Sequence, residues 1–278
     1  MGIASAMFTV VVPHFNHARH LPRALAATAE AAECIVVDDG SEPAAAAEAR
    51  KAAVEAGARF LALDGNRGPA AARNLGADRA SQPYLVFLDA DDALVPGFGE
   101  AVRAFLAQNP NVDGLHPAVR YEGLPADLAD AFDEARRRNS DMVTASGLVV
   151  RRDVFSAMGG FPEDPVFLGR AGGEDVAFVN ALSRLADYRY WGRTLVVAQA
   201  GGHLIDYLRR TRVEDGKVVF TENTPEEQSG ALSQAIQAYL DRAAAGLAAA
   251  RDRHPSALAS SRAAQHPSGA HSIVPRIG

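Results

Sequence analysis

The chain has 278 residues and a single cysteine, Cys34, so no disulfide framework can hold it together and no cysteine cluster can seat zinc. A lone thiol opening an apolar run reads as a small buried hydrophobe and fits a reducing cytoplasm. No apolar run approaches the roughly 20 residues that cross a bilayer, and the amino terminus lacks the charged start and apolar stretch of a secretory signal. The expectation is a cytoplasmic protein, peripheral at most to the inner face of a membrane. Net charge is −6 with no lysine-arginine block, so the electrostatic footprint of a nucleic-acid binder is missing. An anionic substrate must then be held by local groups or by a cation. The dinucleotide fingerprint G-x-G-x-x-G is also missing after the first hydrophobic run, where Pro13-His14-Phe15-Asn16 stands instead. That argues against a nicotinamide or flavin cofactor.

With 48% hydrophobic residues, the chain can bury one large core and carry an appended tail. Residues 8–12 form a β-branched and aromatic run, and residues 18–30 then place Leu21 and Leu25 one helical turn apart. The cycle repeats with a strand at 35–37, Ser41 as N-cap, Pro43 in the first turn and a helix over 44–56. A strand at 59–63, a helix from Gly68 and Pro69 to residue 80, a strand at 84–88 and a helix from Pro96 follow. Strand and helix in alternation predict an α/β fold, a Rossmann-like, mostly parallel sheet flanked by helices on both faces.

Beyond residue 110 the pattern is looser. It predicts a strand at 112–120, a charged helix at 128–138, a strand at 148–150, a helix capped by Gly173 with Val176, Val179, Leu182 and Leu185 in one stripe, and a strand at 188–197. Leu232, Ile236, Tyr239, Ala243 and Leu247 mark one face of a long C-terminal helix over 225–253. Packing on its own domain is preferred to sharing that face within a homodimer. Past Pro255 the composition turns to Ser, Ala, His, Pro and Gly, which predicts a disordered tail.

Polar residues cluster where strands end. Phe87-Leu88-Asp89-Ala90-Asp91-Asp92 packs carboxylates at the mouth of a buried strand, and such a cluster repels itself unless a cation sits there. An ordinary acidic turn has the same composition; only the company of further motifs favours a binding site. Those are Val12-Pro13-His14-Phe15-Asn16, Val37-Asp38-Asp39-Gly40-Ser41, Asn66-Arg67-Gly68 with Ala72-Arg73-Asn74-Leu75-Gly76, and Gly173-Glu174-Asp175. In this order and spacing the chain, over residues 7 to 205, resembles the inverting family 2 glycosyltransferases of the nucleotide-diphospho-sugar transferase superfamily, which have the A-type glycosyltransferase fold.

The resemblance implies a division into a catalytic domain over 1–212, with a nucleotide-binding half to about residue 110 and an acceptor and catalytic-base half after it, a helical extension over 213–254 and the tail over 255–278. It implies metal-dependent transfer of one sugar from a nucleoside-diphosphate sugar, a UDP-sugar first, to a hydroxyl of a glycan, lipid-linked or small-molecule acceptor. Asp91 would ligate Mn2+ or Mg2+, with Asp89 and Ala90 near the ribose or a metal-bound water. Asp39 would accept from the imide of the base, with Pro13, Phe15 and Asn16 beside it; for Asn16 the structural reading, a helix N-cap, is the stronger. Gly68 would let the nucleotide approach the backbone, Arg73 would reach the base or diphosphate, and Asn74 would support the loop. Asp175 would be the base that takes the acceptor's proton, its pKa lowered by the helix N-terminus, with Glu174 at the acceptor. His203 stands where relatives carry a third metal ligand, though Ala200-Gly201-Gly202 precedes it. The glycine-rich stretch 159–173 is expected to order over bound donor. The Gln-x-x-Arg-Trp signature of processive synthases is missing, which favours a single transfer. A sugar-phosphate nucleotidyltransferase would need a glycine-rich basic loop after the first strand, and a silent sugar-nucleotide-binding scaffold would not need Asp91 and Asp175.

Overall fold

The computed structural model describes residues 7–130, 132–169, 172–215 and 217–253. The first half runs β1 (Phe8–His14), α1 (Leu21–Ala26), β2 (Glu33–Asp38), α2 (Pro43–Glu55), β3 (Arg59–Ala62), α3 (Pro69–Asp78), β4 (Tyr84–Phe87), β5 (Ala93–Leu94) and α4 (Phe98–Gln108). The second half runs β6 (Gly114–Glu122), α5 (Ala126–Ala129), α6 (Glu134–Val143), β7 (Val149–Arg151), α7 (Arg152–Ala157), a 3₁₀ turn (Pro165–Leu168), α8 (Glu174–Leu185), β8 (Tyr188–Gln199), α9 (Gly202–Arg210), β9 (Thr211–Glu214), β10 (Lys217–Phe220), α10 (Pro225–Gln228) and α11 (Ala231–Arg253).

Eight strands form one sheet in the order β3-β2-β1-β4-β7-β6-β8-β5, and β9 pairs with β10 apart from it. β1 is parallel to β2 and β4, and β2 to β3, while β7 runs antiparallel to both β4 and β6. β8 is parallel to β6 and β5 antiparallel to β8. Successive residues of a strand face opposite sides, and the centre of this sheet is covered on both. Val10 and Val12 pack with α1, α2 and α4, whereas Val11, Ile35, Val37 and Phe87 pack with α3, α7, α8 and α11.

Several boundaries differ from the sequence expectation, each for a local reason. The helix expected over 18–30 is only α1, because the Thr28 hydroxyl donates to Leu25 O at 2.9 Å and closes the turn. The helix expected over 128–138 is two, since Asp133 caps α6 by accepting from Arg136 N at 2.9 Å. The long C-terminal helix breaks before Ala231, where Gly230 takes φ +75°. β5, α9 and the β9–β10 hairpin were not anticipated, and the hairpin crosses the boundary expected at residue 212. The expected disordered tail, 255–278, lies outside the described residues.

The apolar stripe of α11 packs on the chain's own core: Tyr239, Ala243, Leu247 and Ala250 are buried with α8 and α7. Tyr239 Oη donates to Gly160 O at 2.6 Å, and Arg251 Nη2 to Leu185 O at 3.0 Å. Gly246 lets α11 close on α7, since a side chain there meets the carbonyl oxygen of Ala157. Among the described residues no helix is long and apolar enough to cross a membrane.

Gly246→Ala is therefore expected to lower unfolding stability by roughly 1–3 kcal/mol, the usual cost of overpacking. Gly192→Ala, at a strand position with nothing within 4 Å of the new methyl, is the control and should lose less in the same urea titration. Equal stability of the two variants would show that α11 has no close seat on α7.

Candidate active site

In the order β3-β2-β1-β4 all four strands are parallel, but the order of addition reverses at β1, with β2 and β3 on one side and β4 on the other; open α/β sheets bind ligands in the crevice beyond the carboxyl ends of strands at such a point. The loop after β1 carries Pro13, Phe15 and Asn16, the loop after β2 carries Asp39, and the turn after β4 carries Asp89, Ala90, Asp91 and Asp92. Phe15 is 43% exposed, a rare position for a phenylalanine in this chain. Asn16 adopts φ +56°, its N–H donates to Ser41 Oγ at 2.9 Å, and its Oδ1 accepts from Glu42 N at 2.9 Å. It caps the start of α2 across the crevice rather than its own helix α1.

Asp38 and Asp39, adjacent in sequence, turn to different partners. Asp38 is buried, takes His14 Nδ1 at 2.8 Å and accepts from Ser41 N. Asp39 accepts from Arg67 N at 2.7 Å and Gly68 N at 2.8 Å, which fixes both carboxylate oxygens against the loop before α3. Burial pushes its pKa upward, with those two N–H groups pulling it back. Gly68 has φ +89°, and the space its missing side chain leaves is taken by Leu168. In this structure Gly68 therefore admits the 3₁₀ turn.

Arg73 is the largest departure from expectation. It is 4% exposed, and its guanidinium is spent on protein carboxylates: Nη2 donates to Asp89 Oδ1 at 2.8 Å and Nη1 to Glu174 Oε1 at 2.9 Å. The reach to base or diphosphate expected of it is thereby closed off, because a buried cation needs paired anions. Burial alone would lower its pKa; Asp89, Glu174 and Asp175 reverse that and raise it. The guanidinium also lies 5.3 Å from the centre of the Phe161 ring. Glu174, expected at the acceptor, is buried with one oxygen taken by Arg73.

Asp175 follows in the first turn of α8. The helix N-terminus was expected to lower its pKa, but burial and the adjacent Glu174 push it up to about 7, against the pull of Arg73 and the Val176 N–H. Desolvation outweighs the dipole here because α8 begins inside the crevice, behind a Gly173 in the left-handed region. Asp175 Oδ1 accepts from Val176 N at 2.8 Å.

The acidic turn splits three ways. Asp89 is tied to Arg73, with its N–H to Ser146 Oγ at 3.3 Å. Asp92 points inward, accepts from Gln199 N at 2.9 Å, and is pushed up to about 8 by burial and by Asp89. Ala90 is buried in the core beside α1 and α4. Asp91, at 30% side-chain exposure, has His17 Nδ1 4.0 Å away as its nearest charged partner, whereas the 35%-exposed Asp89 is held by Arg73. His203 sits at the start of α9 beside Gly172.

The stretch 159–168 is pinned from α3. Asn74 holds Phe161 by both backbone groups, Oδ1 accepting from its N at 2.8 Å and Nδ2 donating to its O at 2.9 Å. Glu163 bridges Asn74 and Arg67. The sequence marked Asn74 as loop support; it gave no sign of Glu163 or Ser146, which belong to no motif, nor that His14 and Asp38, each inside one, would pair with each other.

Comparison with known proteins agrees with this architecture. Over 219 residues the chain is 30% identical to the pre-mycofactocin glycosyltransferase of Mycobacterium tuberculosis, covering 73% of this chain and 44% of that one. It is 32% identical over 121 residues to an uncharacterized glycosyltransferase of Haemophilus influenzae, 40% of this chain and 39% of that one. The match thus spans less than half the length of either relative. Among solved structures, Staphylococcus aureus TarS 1-349 with UDP-GlcNAc superposes at a TM-score of 0.59 and 17% identity, over 89% of this chain and 73% of that one. The Pyrobaculum calidifontis mannosyltransferase PcManGT with GDP-Man and Mn2+ superposes at 0.54 and 19%, over 93% and 79%. The fold is the A-type glycosyltransferase fold. The family model "Glycosyl transferase family 2" matches residues 9–160, more than half of the sequence, and the chain belongs to that family.

Proposed function

We propose that the protein transfers one sugar from a nucleoside-diphosphate sugar, a UDP-sugar first, to an acceptor hydroxyl by a single inverting displacement. The observation that carries this reading is Arg73, whose one guanidinium ties the D-x-D turn to the start of α8 and so sets Asp175 beside the crevice that the donor would enter. Solved neighbours of the same fold hold UDP-GlcNAc or GDP-Man, which supports a nucleotide-sugar donor.

The chain's residues fit a divalent cation of a particular kind. Among the described residues no group of three or more His, Cys, Asp and Glu forms a metal cage. Asp89 is engaged by Arg73 and Asp92 is turned inward, which leaves Asp91. One carboxylate suits Mg2+ or Mn2+ when phosphate oxygens and water fill the other positions. Bound there, the ion supplies charge neutralisation for a departing diphosphate.

Asp39, fixed by two backbone N–H groups, keeps lone pairs for the imide N–H of a uracil, and the exposed Phe15 ring offers a face for the base. Asp175 Oδ1 is occupied by Val176 N, so Oδ2 is the atom left to receive the acceptor's proton. A carboxylate titrating near 7 is about half ionised at neutral pH, and its ionised form is strong enough to take a hydroxyl proton as the new bond forms. Attack from the Asp175 side, opposite the nucleotide, inverts the anomeric carbon. Release of nucleoside diphosphate when acceptor is added tests the reaction class: pyrophosphate, or neither product, would overturn it.

Asp175→Asn should leave donor binding, read by thermal shift, within about twofold and remove turnover; near-normal turnover would exclude Asp175 as the base. The wild-type kcat/KM should rise tenfold per pH unit below about 7 and level off above, because only the ionised carboxylate accepts the proton. A profile flat from pH 5 to 9 would mean that another group titrates. Arg73→Lys keeps the charge but not the fork that reaches both carboxylates, so kcat should fall about 100-fold while UDP affinity changes far less. Arg73→Met should cost stability as well, roughly 3 kcal/mol, by leaving Glu174 buried and unpaired.

A further inference from the structure

The loop after β1 carries an imidazole beside the acidic turn. His17 Nδ1 lies 4.0 Å from Asp91 Oδ2, with the His17 side chain 55% exposed and that of Asp91 30%. The backbone beneath it is held fast. His17 N donates to His14 Nε2 at 3.2 Å. With Nε2 accepting, the neutral His14 ring carries its proton on Nδ1 and donates it to Asp38 Oδ1 at 2.8 Å. Asn16, in the left-handed region at φ +56°, is tied to Ser41 and to Glu42 N. A buried imidazole, a buried carboxylate and a non-glycine residue at positive φ thus combine to aim one exposed side chain at the one carboxylate of the turn that the protein has not engaged.

We propose that His17 and Asp91 together seat a transition-metal cation, with manganese favoured over magnesium. The inference rests on the reading of Asp91 as the cation's carboxylate and adds a nitrogen ligand to it. At 4.0 Å the two atoms are too far apart for a hydrogen bond, yet the gap is close to the sum of two metal–ligand bonds of about 2.0–2.1 Å each. A cation enters between them with little more than side-chain rotation. A bare surface ion pair between such exposed groups contributes little and gives no reason for the bonds that fix the loop. Carboxylate and water alone suit magnesium; an imidazole shifts preference toward first-row transition metals. His203, by contrast, sits with Cε1 3.9 Å from where a side chain on Gly172 would begin.

Electron paramagnetic resonance of Mn2+ bound to the full chain with UDP reads this directly. The wild type should show nitrogen spin-echo modulation from a coordinated imidazole. His17→Ala should lose it, weaken Mn2+ binding at least about tenfold, and change Mg2+ binding much less; loss of even an outer-shell partner costs that factor. His203→Ala should keep the modulation. Persistence of the signal in His17→Ala, or its loss in His203→Ala, overturns the assignment. Asp91→Asn separates the two levels of the argument. If it releases manganese while His17→Ala keeps signal and affinity, the carboxylate reading stands and the histidine is no ligand. If Asp91→Asn binds manganese like the wild type, the cation site itself is elsewhere and the histidine assignment falls with it.

Discussion

A guanidinium buried to 4% exposure cannot stay charged in a protein interior without anions, and an arginine cannot shed its proton to escape the cost. Arg73 meets that demand with Asp89 from the end of β4 and Glu174 from the start of α8. Because both hydrogen bonds leave one planar group, the two carboxylates cannot move independently. The D-x-D turn and the helix that presents Asp175 are thereby fixed relative to each other, although they are far apart in sequence. The remaining geometry of the crevice follows from this pairing.

What lies under the guanidinium is as constrained as what lies beside it. The Phe161 ring, 5.3 Å below, packs on Phe87, Phe155 and Phe178 with centroids at 5.0, 5.6 and 4.7 Å. Phe87 ends the strand that leads to Asp89, and Phe178 is one turn into the helix that begins with Glu174, so the aromatic cluster couples the same two elements through packing. Asn74 then clamps the Phe161 backbone, and Tyr239 of α11 holds the neighbouring Gly160 carbonyl. The C-terminal helix is in this way continuous with the support of the site, by a chain of contacts from Tyr239 to Arg73.

The first half of this arrangement was legible in the sequence because each piece is local. Strand, loop and helix alternate within about 30 residues, the apolar runs state which segments are buried on both faces, and the polar residues closing them mark the crevice. Such signals place Asp39 and the acidic turn at strand ends and Asn74 and the start of α8 on helices, as in the structure. What escaped depends on partners distant in the chain. Nothing near Arg73 says that it will be buried under Glu174, and an arginine on a helix beside a nucleotide motif reads as a substrate contact. The pKa of Asp175 was misjudged for the same reason: the helix dipole is visible in sequence, while the desolvation that outweighs it belongs to the assembled crevice. α9 and the β9–β10 hairpin were missed because their cores are small, with Leu208 packed on Leu128 and Phe132 in a satellite cluster that leaves no long periodic pattern.

The electrostatic balance of the crevice supports the proposed cation. Arg73 is shared among Asp89, Glu174 and Asp175, and Asp91 adds a further carboxylate that the protein does not neutralise. Burial makes Asp92 costly to ionise, pushing it up to about 8, so the fold reduces the repulsion at that position by keeping a proton rather than by adding a second arginine. The diphosphate of the proposed donor would be repelled by such a surface, and no lysine or arginine in the acidic turn compensates. Under the proposed function, a divalent cation at Asp91 would offset this repulsion without drawing on the Arg73 pairs. Burial and Glu174 hold the Asp175 pKa at about 7 against the pull of Arg73, so a second fixed cation beside it would draw that pKa down and weaken its hold on a proton.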